Sequence, residues 1–305
     1  MNIITTGRLG KEFSTHPLIL KTGLNLRYVE QLTQEVIDWS DTLASFSISE
    51  AVDLTKLKWI HSFGAGVDGF LKREEINSKI LLSRTVGKMG TTMGEYCLCQ
   101  IINFFQNTHQ LKDYQKNKTW KQVLPESISG KSILIVGSGE MAAGISKVLQ
   151  KNDMLVYSIN TSGEDNTNFK KCFTFQSYKN ISDEISIVIN TLPATTKTYK
   201  IINEEFLECF QDILFINVGR GTSVNIDDLL TSLKNGHCKY ATLDVFENEP
   251  LPENSPLWNH DKLFITPHQA AITDINDVVN SFLNVLTSIE NKETNRLIVN
   301  MERQY

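Results

Sequence analysis

One stretch limits the fold more than any other: Ser132-Ile133-Leu134-Ile135-Val136 runs directly into Gly137-Ser138-Gly139-Glu140-Met141-Ala142, and residues 143–150 then carry apolar side chains at helical spacing. An unbroken apolar run of this length reads as a strand buried on both faces, as in a parallel sheet. Gly137 permits a tight turn, Gly139 leaves the backbone bare, and Ala142 is small enough for helix and strand to pack closely. Strand, turn and helix in this order bring N–H groups and the positive end of a helix dipole to one place, where a pyrophosphate can sit. The pattern predicts that Gly137, Gly139, Glu140 and Met141 contact a dinucleotide. The same spacing occurs at plain strand-to-helix turns, so its weight comes from its surroundings.

Those surroundings are α/β throughout. Short apolar runs alternate with helical patterns, which predicts parallel sheets. One sheet is expected from residues 3–5, 27–29, 43–48, 59–63 and 80–82, and a second from 132–136, 155–159, 187–191, 214–218, 240–244 and 264–266. Between them Tyr96, Ile101, Phe104, Phe105 and Leu111 fall at roughly helical spacing, with no proline and no glycine after Gly94, which predicts one long connecting helix from Met93. Residues 274–291 read as helix again and lead into a tail, 297–305, that returns to the first lobe. A chain of 305 residues also exceeds what one core serves comfortably. The expected fold class is α/β, with two Rossmann-like/flavodoxin-like doubly wound parallel-sheet domains and a cleft between them. Residues 1–94 with 275–305 would form a discontinuous substrate-binding domain, and 95–274 the dinucleotide-binding one.

Composition narrows the partners. Hydrophobic residues make up 41% and charged residues 21%, ordinary globular usage. With a net charge of -5 and scattered lysines, the chain has no field for nucleic acid. Residues 1–10 hold no long apolar run, so neither a secretory signal nor a membrane span is expected, and the cytoplasm is the expected location. Cys97, Cys99, Cys172, Cys209 and Cys238 are an odd number and suit reduced thiols. Cys97 and Cys99 would face different directions on a helix, which predicts burial and no metal site.

The end of the second strand of a dinucleotide fold reads the adenosine ribose, and an Asp or Glu there selects NAD. Here residues 155–159 are followed by Asn160-Thr161-Ser162, with no carboxylate before Glu164. Three polar side chains can hydrogen-bond a 2′-phosphate, which leans toward NADP over NAD. No arginine follows, however, and Asn160 equally suits a turn.

Three later segments lie at strand C-terminal ends, where open α/β sheets take their ligands. Asn217-Val218-Gly219-Arg220-Gly221 flanks a guanidinium with glycines, and its fork matches a carboxylate. Residues 243–252 carry Asp244, Glu247 and Glu249, and Thr266-Pro267-His268-Gln269-Ala270-Ala271 carries the one histidine of six that follows an apolar strand and a proline. Each is ordinary alone: a surface Arg, a solvated acidic loop, a structural His. Together they meet the needs of 2-oxoacid reduction, namely a cation for the carboxylate, a proton donor for the carbonyl oxygen and a hydride from a nicotinamide. A carboxylate such as Glu249 beside His268 would favour imidazolium and raise its pKa.

With these pieces in order, the chain resembles the D-isomer-specific 2-hydroxyacid dehydrogenases over essentially its whole length, and within them the glyoxylate/hydroxypyruvate reductase A group. The resemblance rests on Gly64-Ala65-Gly66-Val67-Asp68, Met93-Gly94-Glu95-Tyr96, the glycine turn, Asn190-Thr191-Leu192-Pro193, the arginine, acidic and histidine segments, and Ser255-Pro256-Leu257-Trp258. It implies a homodimer acting on a small 2-oxoacid or 2-hydroxyacid, with Arg220 binding substrate, His268 as acid/base and Glu249 orienting it. It implies that Ala65 and Gly66 offer N–H groups to the substrate carboxylate. Asn160, Thr161, Ser162, Leu192, Pro193, Val218, Asp244, His268 and Ala270 would line the cofactor, with Asp244 on the nicotinamide carboxamide. Phe46 and Ser47 would fall in the pocket wall. Ala142 departs from the usual third glycine. Two other readings stay open: a dehydrogenase for a lactate-like or phosphoglycerate-like substrate, and a nicotinamide-sensing binding protein of the same fold.

Overall fold

A computed structural model describes residues 1–48, 51–77 and 79–304. They divide into two compact units, residues 1–88 with 273–305 and residues 89–272; Tyr305, in the expected tail, lies outside the described residues.

In the first unit β1 (Asn2–Thr5), β2 (Asn25–Tyr28), β3 (Thr42–Ser45), β4 (Trp59–Ser62) and β5 (Leu81–Arg84) form a parallel sheet of order β2-β1-β3-β4-β5. This is the flavodoxin-like winding, which reverses between β1 and β3. The helix Ile275–Asn291 lays Val278, Val279, Phe282 and Val285 against Phe13, Trp59 and Phe63, and Asp274 caps it by accepting the Asn276 N–H at 2.8 Å. The chain then runs back to β5, where the Arg84 N–H donates to the Leu297 carbonyl at 3.0 Å. The strand expected over 43–48 stops at Ser45, whose hydroxyl donates to the Ser47 carbonyl at 3.0 Å and turns the chain out of the sheet.

The second unit holds seven parallel strands: β6 (Ser132–Val136), β7 (Leu155–Ile159), β8 (Lys171–Phe173), β9 (Ile185–Asn190), β10 (Ile213–Asn217), β11 (Cys238–Leu243) and β12 (Leu263–Ile265). Their order is β12-β11-β10-β9-β6-β7-β8, the Rossmann winding with one added edge strand. The reversal falls between β6 and β9, so the glycine turn after β6 opens at the switch point. Sequence reasoning missed β8. It has three residues, sits at the sheet edge, and opens on Lys171 after Lys170, whose ammonium groups lie over the Phe173 and Tyr157 rings respectively.

The connecting helix also differs from expectation. It runs from Met89 to Phe105, and Leu111 belongs to a separate helix, Thr108–Lys116. Asn107 takes φ 55 between them and donates its side-chain N–H to the Leu124 carbonyl at 3.2 Å. A single left-handed asparagine breaks a helix with little effect on apolar spacing. Cys97 is buried on the first helix, whereas Cys99 is exposed, contrary to the expectation of burial for both.

The helix begins before Met93 because Gly90 and Gly94 are its contact face, not its end. A β-carbon on Gly94 would lie 2.8 Å from Val148 Cγ2, and one on Gly144 would lie 2.4 Å from the Gly90 carbonyl carbon. Backbone therefore meets backbone where this helix crosses Glu140–Gln150. Ala142, by contrast, packs into the core beside Ile133 and Ile135. The small residue at 142 thus serves the helix–strand contact, as expected, and the close approach of the two helices rests on Gly144. Gly144→Ala should gain about 1 kcal/mol of helix propensity yet lose more to overpacking, for a net loss of about 1–2 kcal/mol. Urea unfolding measures this, and an unchanged or raised midpoint would contradict the close contact.

Candidate active site

The phosphate turn is built by the loop that follows β9. Gly137 takes φ +109, and a β-carbon there would lie 2.6 Å from Thr191 Oγ1. Thr191 is itself fixed to β6, since its N–H and its hydroxyl both donate to the Val136 carbonyl, at 3.0 and 2.8 Å. Gly139 then caps the helix Glu140–Gln150 with no side-chain acceptor for the first turn, and a β-carbon on Gly139 would meet nothing within 4 Å. Bare backbone, open space and uncapped N–H groups at a helix N-terminus fit a dinucleotide pyrophosphate. Glu140 is exposed and Met141 partly buried in the helix's first turn.

After β7 the polar triplet is used unequally. Asn160 Oδ1 accepts the Gly163 N–H at 2.5 Å, and its side-chain N–H donates to the Glu164 carbonyl at 3.0 Å. Asn160 is therefore a turn-former first. Thr161 and Ser162 remain exposed, with Ser162 Oγ accepting the Glu164 N–H at 3.2 Å.

At the ends of β9 and β10 lies a buried amide pair. Asn190 donates to Asn217 Oδ1 at 2.9 Å and to Ser223 Oγ at 2.7 Å, while its own Oδ1 accepts the Leu192 N–H at 3.2 Å. Asn217 Oδ1 in turn accepts the Gly219 N–H at 3.2 Å, and the Ser223 hydroxyl donates to the Arg220 carbonyl at 2.7 Å. Both loops are tied to one network that water does not reach. Two glycines then wedge the arginine in place. A β-carbon on Gly219 would come 2.7 Å from the Leu192 backbone, and one on Gly221 would come 1.9 Å from the Phe246 carbonyl carbon. Arg220 thus sits on a turn clamped between the loops after β9 and β11. Its Nη1 donates to the Gly219 carbonyl at 2.8 Å. Leu192 and Pro193 are partly buried, and Leu192 lies beside Gly137; Val218 and Ala270 are buried in the core.

The histidine loop hangs on Asp244, which is 1% exposed. Its Oδ1 accepts the Thr266 hydroxyl at 2.6 Å and the Gln269 N–H at 2.8 Å, and its Oδ2 accepts the Ala270 N–H at 2.9 Å. The Tyr96 hydroxyl, 2.7 Å from Thr266 Oγ1, extends the chain of bonds. Asp244, expected on a carboxamide, gives three acceptor positions to its own chain and so builds this loop. Its carbonyl also accepts the His268 N–H at 2.8 Å, and His268 takes φ +52. That left-handed conformation is costly for a residue with a β-carbon and is held here by the bonds on either side.

So held, His268 Nδ1 meets Glu249 Oε2 at 2.7 Å, and Glu249 Oε1 accepts the Phe246 N–H at 2.9 Å. The Glu249 hydrogen bond raises the His268 pKa above the ordinary histidine value, outweighing burial and the nearby Arg220 charge, both of which lower it. Burial pushes the Glu249 carboxyl up, but the bonds from His268 and the Phe246 N–H, with Arg220 assisting, leave it below its usual value. The histidine share of the pair's stability is complete below the ordinary histidine pKa and is lost as pH rises through the raised one. The Glu249 share is complete above the ordinary carboxylate pKa and is lost as pH falls through the lowered one. Both shares are therefore complete between the ordinary carboxylate value of 4.5 and the ordinary histidine value of 6.5, and the histidine share declines above that window.

The first unit carries its own loop after β4. Ser62 Oγ lies 3.0 Å from the Gly64 carbonyl and 3.3 Å from the Gly66 carbonyl, and Thr85 donates its N–H and hydroxyl to the Ser62 carbonyl at 3.0 and 2.9 Å. Among the described residues the Ala65 and Gly66 N–H groups donate to no chain acceptor.

A Rossmann sheet with an open phosphate turn, and a guanidinium, carboxylate and imidazole at successive strand ends, define a nicotinamide-dependent oxidoreductase. Residues 98–270 match the family model described as D-isomer specific 2-hydroxyacid dehydrogenase, NAD binding domain. The chain is 31% identical over 280 residues, 89% of each chain, to the glyoxylate/hydroxypyruvate reductase A of Citrobacter koseri. It is similar in fold to a D-isomer specific 2-hydroxyacid dehydrogenase from Xanthobacter autotrophicus Py2 in complex with NADPH and MES, with TM-score 0.89, 23% identity and coverage of 100% of this chain and 99% of that one. A NADPH-dependent glyoxylate/hydroxypyruvate reductase from Sinorhizobium meliloti, in complex with NADP and sulfate, is likewise similar, with TM-score 0.85, 21% identity and complete coverage of both chains. The chain belongs to the D-isomer specific 2-hydroxyacid dehydrogenase family and is an NAD(P)-dependent 2-hydroxyacid oxidoreductase.

Sequence reasoning gave no task to Ser223, Thr266 or Phe246. Their work is done through a hydroxyl or a backbone N–H, which leaves no periodic or charged signal. Asp244→Asn should leave an amide donor facing an N–H, costing about 1–3 kcal/mol of stability together with most turnover. Urea unfolding and single-turnover kinetics of the variant measure both, and wild-type values in each would contradict the role given to Asp244.

Proposed function

We propose that the chain is a reductase of glyoxylate and hydroxypyruvate, producing glycolate and glycerate, with NADPH preferred. The observation that carries this reading is the 2.7 Å pair of His268 Nδ1 and Glu249 Oε2 close to Arg220. When bound, the nicotinamide supplies a hydride to the substrate carbonyl carbon. Glu249 holds the imidazolium at Nδ1 and leaves the Nε2 proton to pass to the carbonyl oxygen as its negative charge develops. Arg220 takes the substrate carboxylate with its planar fork. In the first unit, Ala65 and Gly66 offer two N–H groups to the substrate in this reading. In this reading the first unit serves the substrate and the second the dinucleotide, held at Gly137, Gly139, Glu140 and Met141, with the division at 88/89 and 272/273 in place of the expected 94/95 and 274/275.

Support for NADPH comes from Thr161 and Ser162, exposed after β7 with no carboxylate on that strand end, and from the NADPH and NADP bound to the similar structures. We also infer a cytoplasmic homodimer. Trp120 and Leu124 are 102% and 85% exposed and the helix Thr108–Lys116 buries no residue, a surface that a second copy would cover. No helix among the described residues is long and apolar enough to cross a membrane.

Purified protein should oxidise NADPH with glyoxylate or hydroxypyruvate faster than NADH. His268→Ala should lose at least about 100-fold in kcat while still binding NADPH by fluorescence titration. Absence of turnover with both 2-oxoacids would refute the reading, and near wild-type turnover in His268→Ala would reassign the proton donor.

A further inference from the structure

In the first unit the strand order reverses between β1 and β3, and open α/β sheets take ligands outside the carboxyl ends of their strands at such a reversal. Two side chains flank that position. Arg8, in the loop after β1, places its guanidinium carbon 5.2 Å from the centre of the Phe46 ring, in the loop after β3. Phe46 meets Phe63 edge-on at 5.6 Å and lies 3.8 Å from where a β-carbon on Gly64 would be. The aromatic ring therefore stands between Arg8 and the Gly64-Ala65-Gly66 loop.

Arg8 has no folding task that accounts for this placement. It is exposed, and among the described residues it makes the ring contact and no ion pair. Its neighbours both take left-handed φ, +70 at Gly7 and +68 at Leu9, and the second is costly for a residue with a β-carbon. A guanidinium stacked on an aromatic face keeps its edge N–H groups free for an anion, because the ring occupies only its flat side. At the other end of the same sheet edge, Arg84 Nη1 reaches the Ala65 carbonyl at 3.5 Å, so the second cation of this edge is turned to the loop itself.

We propose that Arg8, seated on Phe46, is a subsite for a second anionic group on the substrate, so that the favoured 2-oxoacids carry a carboxylate or a phosphate at the end remote from the oxoacid. This deepens the reductase reading and rests on it: the oxoacid carboxylate occupies the Ala65 and Gly66 N–H groups, and the substrate's far end passes Phe46 toward Arg8. The shared chemistry is an anionic oxygen cluster for a planar fork.

The test uses matched pairs that differ in that far group: oxaloacetate against pyruvate, and 3-phosphohydroxypyruvate against hydroxypyruvate, each with NADPH and the full chain. The expected result is a kcat/KM about 10- to 100-fold higher for the anionic member of at least one pair, the worth of one charge-assisted hydrogen bond. The pair that shows it identifies carboxylate or phosphate. Arg8→Gln should abolish that preference, and Arg8→Lys, which keeps charge but loses the fork, should restore part of it. Equal or lower kcat/KM for the anionic member of both pairs in the wild type, or a preference that survives Arg8→Gln, would overturn the subsite while leaving the reductase reading intact. No turnover with any 2-oxoacid, glyoxylate included, would instead defeat the reductase reading and the subsite with it.

Discussion

The Asp244 carboxylate is the interaction on which the candidate active site depends. A buried charge is tolerated only where hydrogen bonds replace its lost water, and here the Thr266 hydroxyl and the Gln269 and Ala270 N–H groups do so. Those bonds fold residues 266–270 back onto the end of β11 and hold His268 at a positive φ. From that backbone the imidazole meets Glu249, and the histidine gains the charge that its chemistry requires. Remove the buried carboxylate and only the backbone bonds of the His268 N–H to the Asp244 and Thr266 carbonyls remain to hold that conformation.

The same logic repeats one strand away. Asn190 and Asn217 lie on adjacent parallel strands at matching register and turn their side chains into one network that fixes the loops after both. Gly219 and Gly221 then admit neighbouring backbone so closely that the arginine between them has little freedom. Positioning by buried amides and bare backbone keeps reacting groups in place more rigidly than surface loops alone. The parallel sheet makes this possible by bringing several strand ends to one edge.

Much of this was legible in the sequence. Strands β6 and β7 fall on the expected residues because an unbroken apolar run ends at a turn signal, and the helix expected over 274–291 begins one residue later because Asp274 is its cap. What stayed hidden depends on three-dimensional proximity. The four helical residues before Met93 were hidden because Gly90 shows its purpose only when Gly144 is seen across from it. Asn107 interrupts a helix with one left-handed residue, and β8 is three residues long and opens on a lysine pair. In the site, the residue types of Arg220, Glu249 and His268 announce their chemistry, whereas Asp244 carries the type of a ligand contact and the geometry of a loop anchor. Asn160 shows the reverse: its turn-forming propensity was visible, and the turn is what it makes.

The central claim is that the fold holds His268 as an imidazolium through Glu249, and side-chain nitrogen NMR titration of the histidines tests it directly. His268 should titrate above the ordinary histidine value of 6.5, and Glu249→Gln should bring the midpoint down. A His268 midpoint at or below that value in the wild type, or one unmoved by Glu249→Gln, would contradict it.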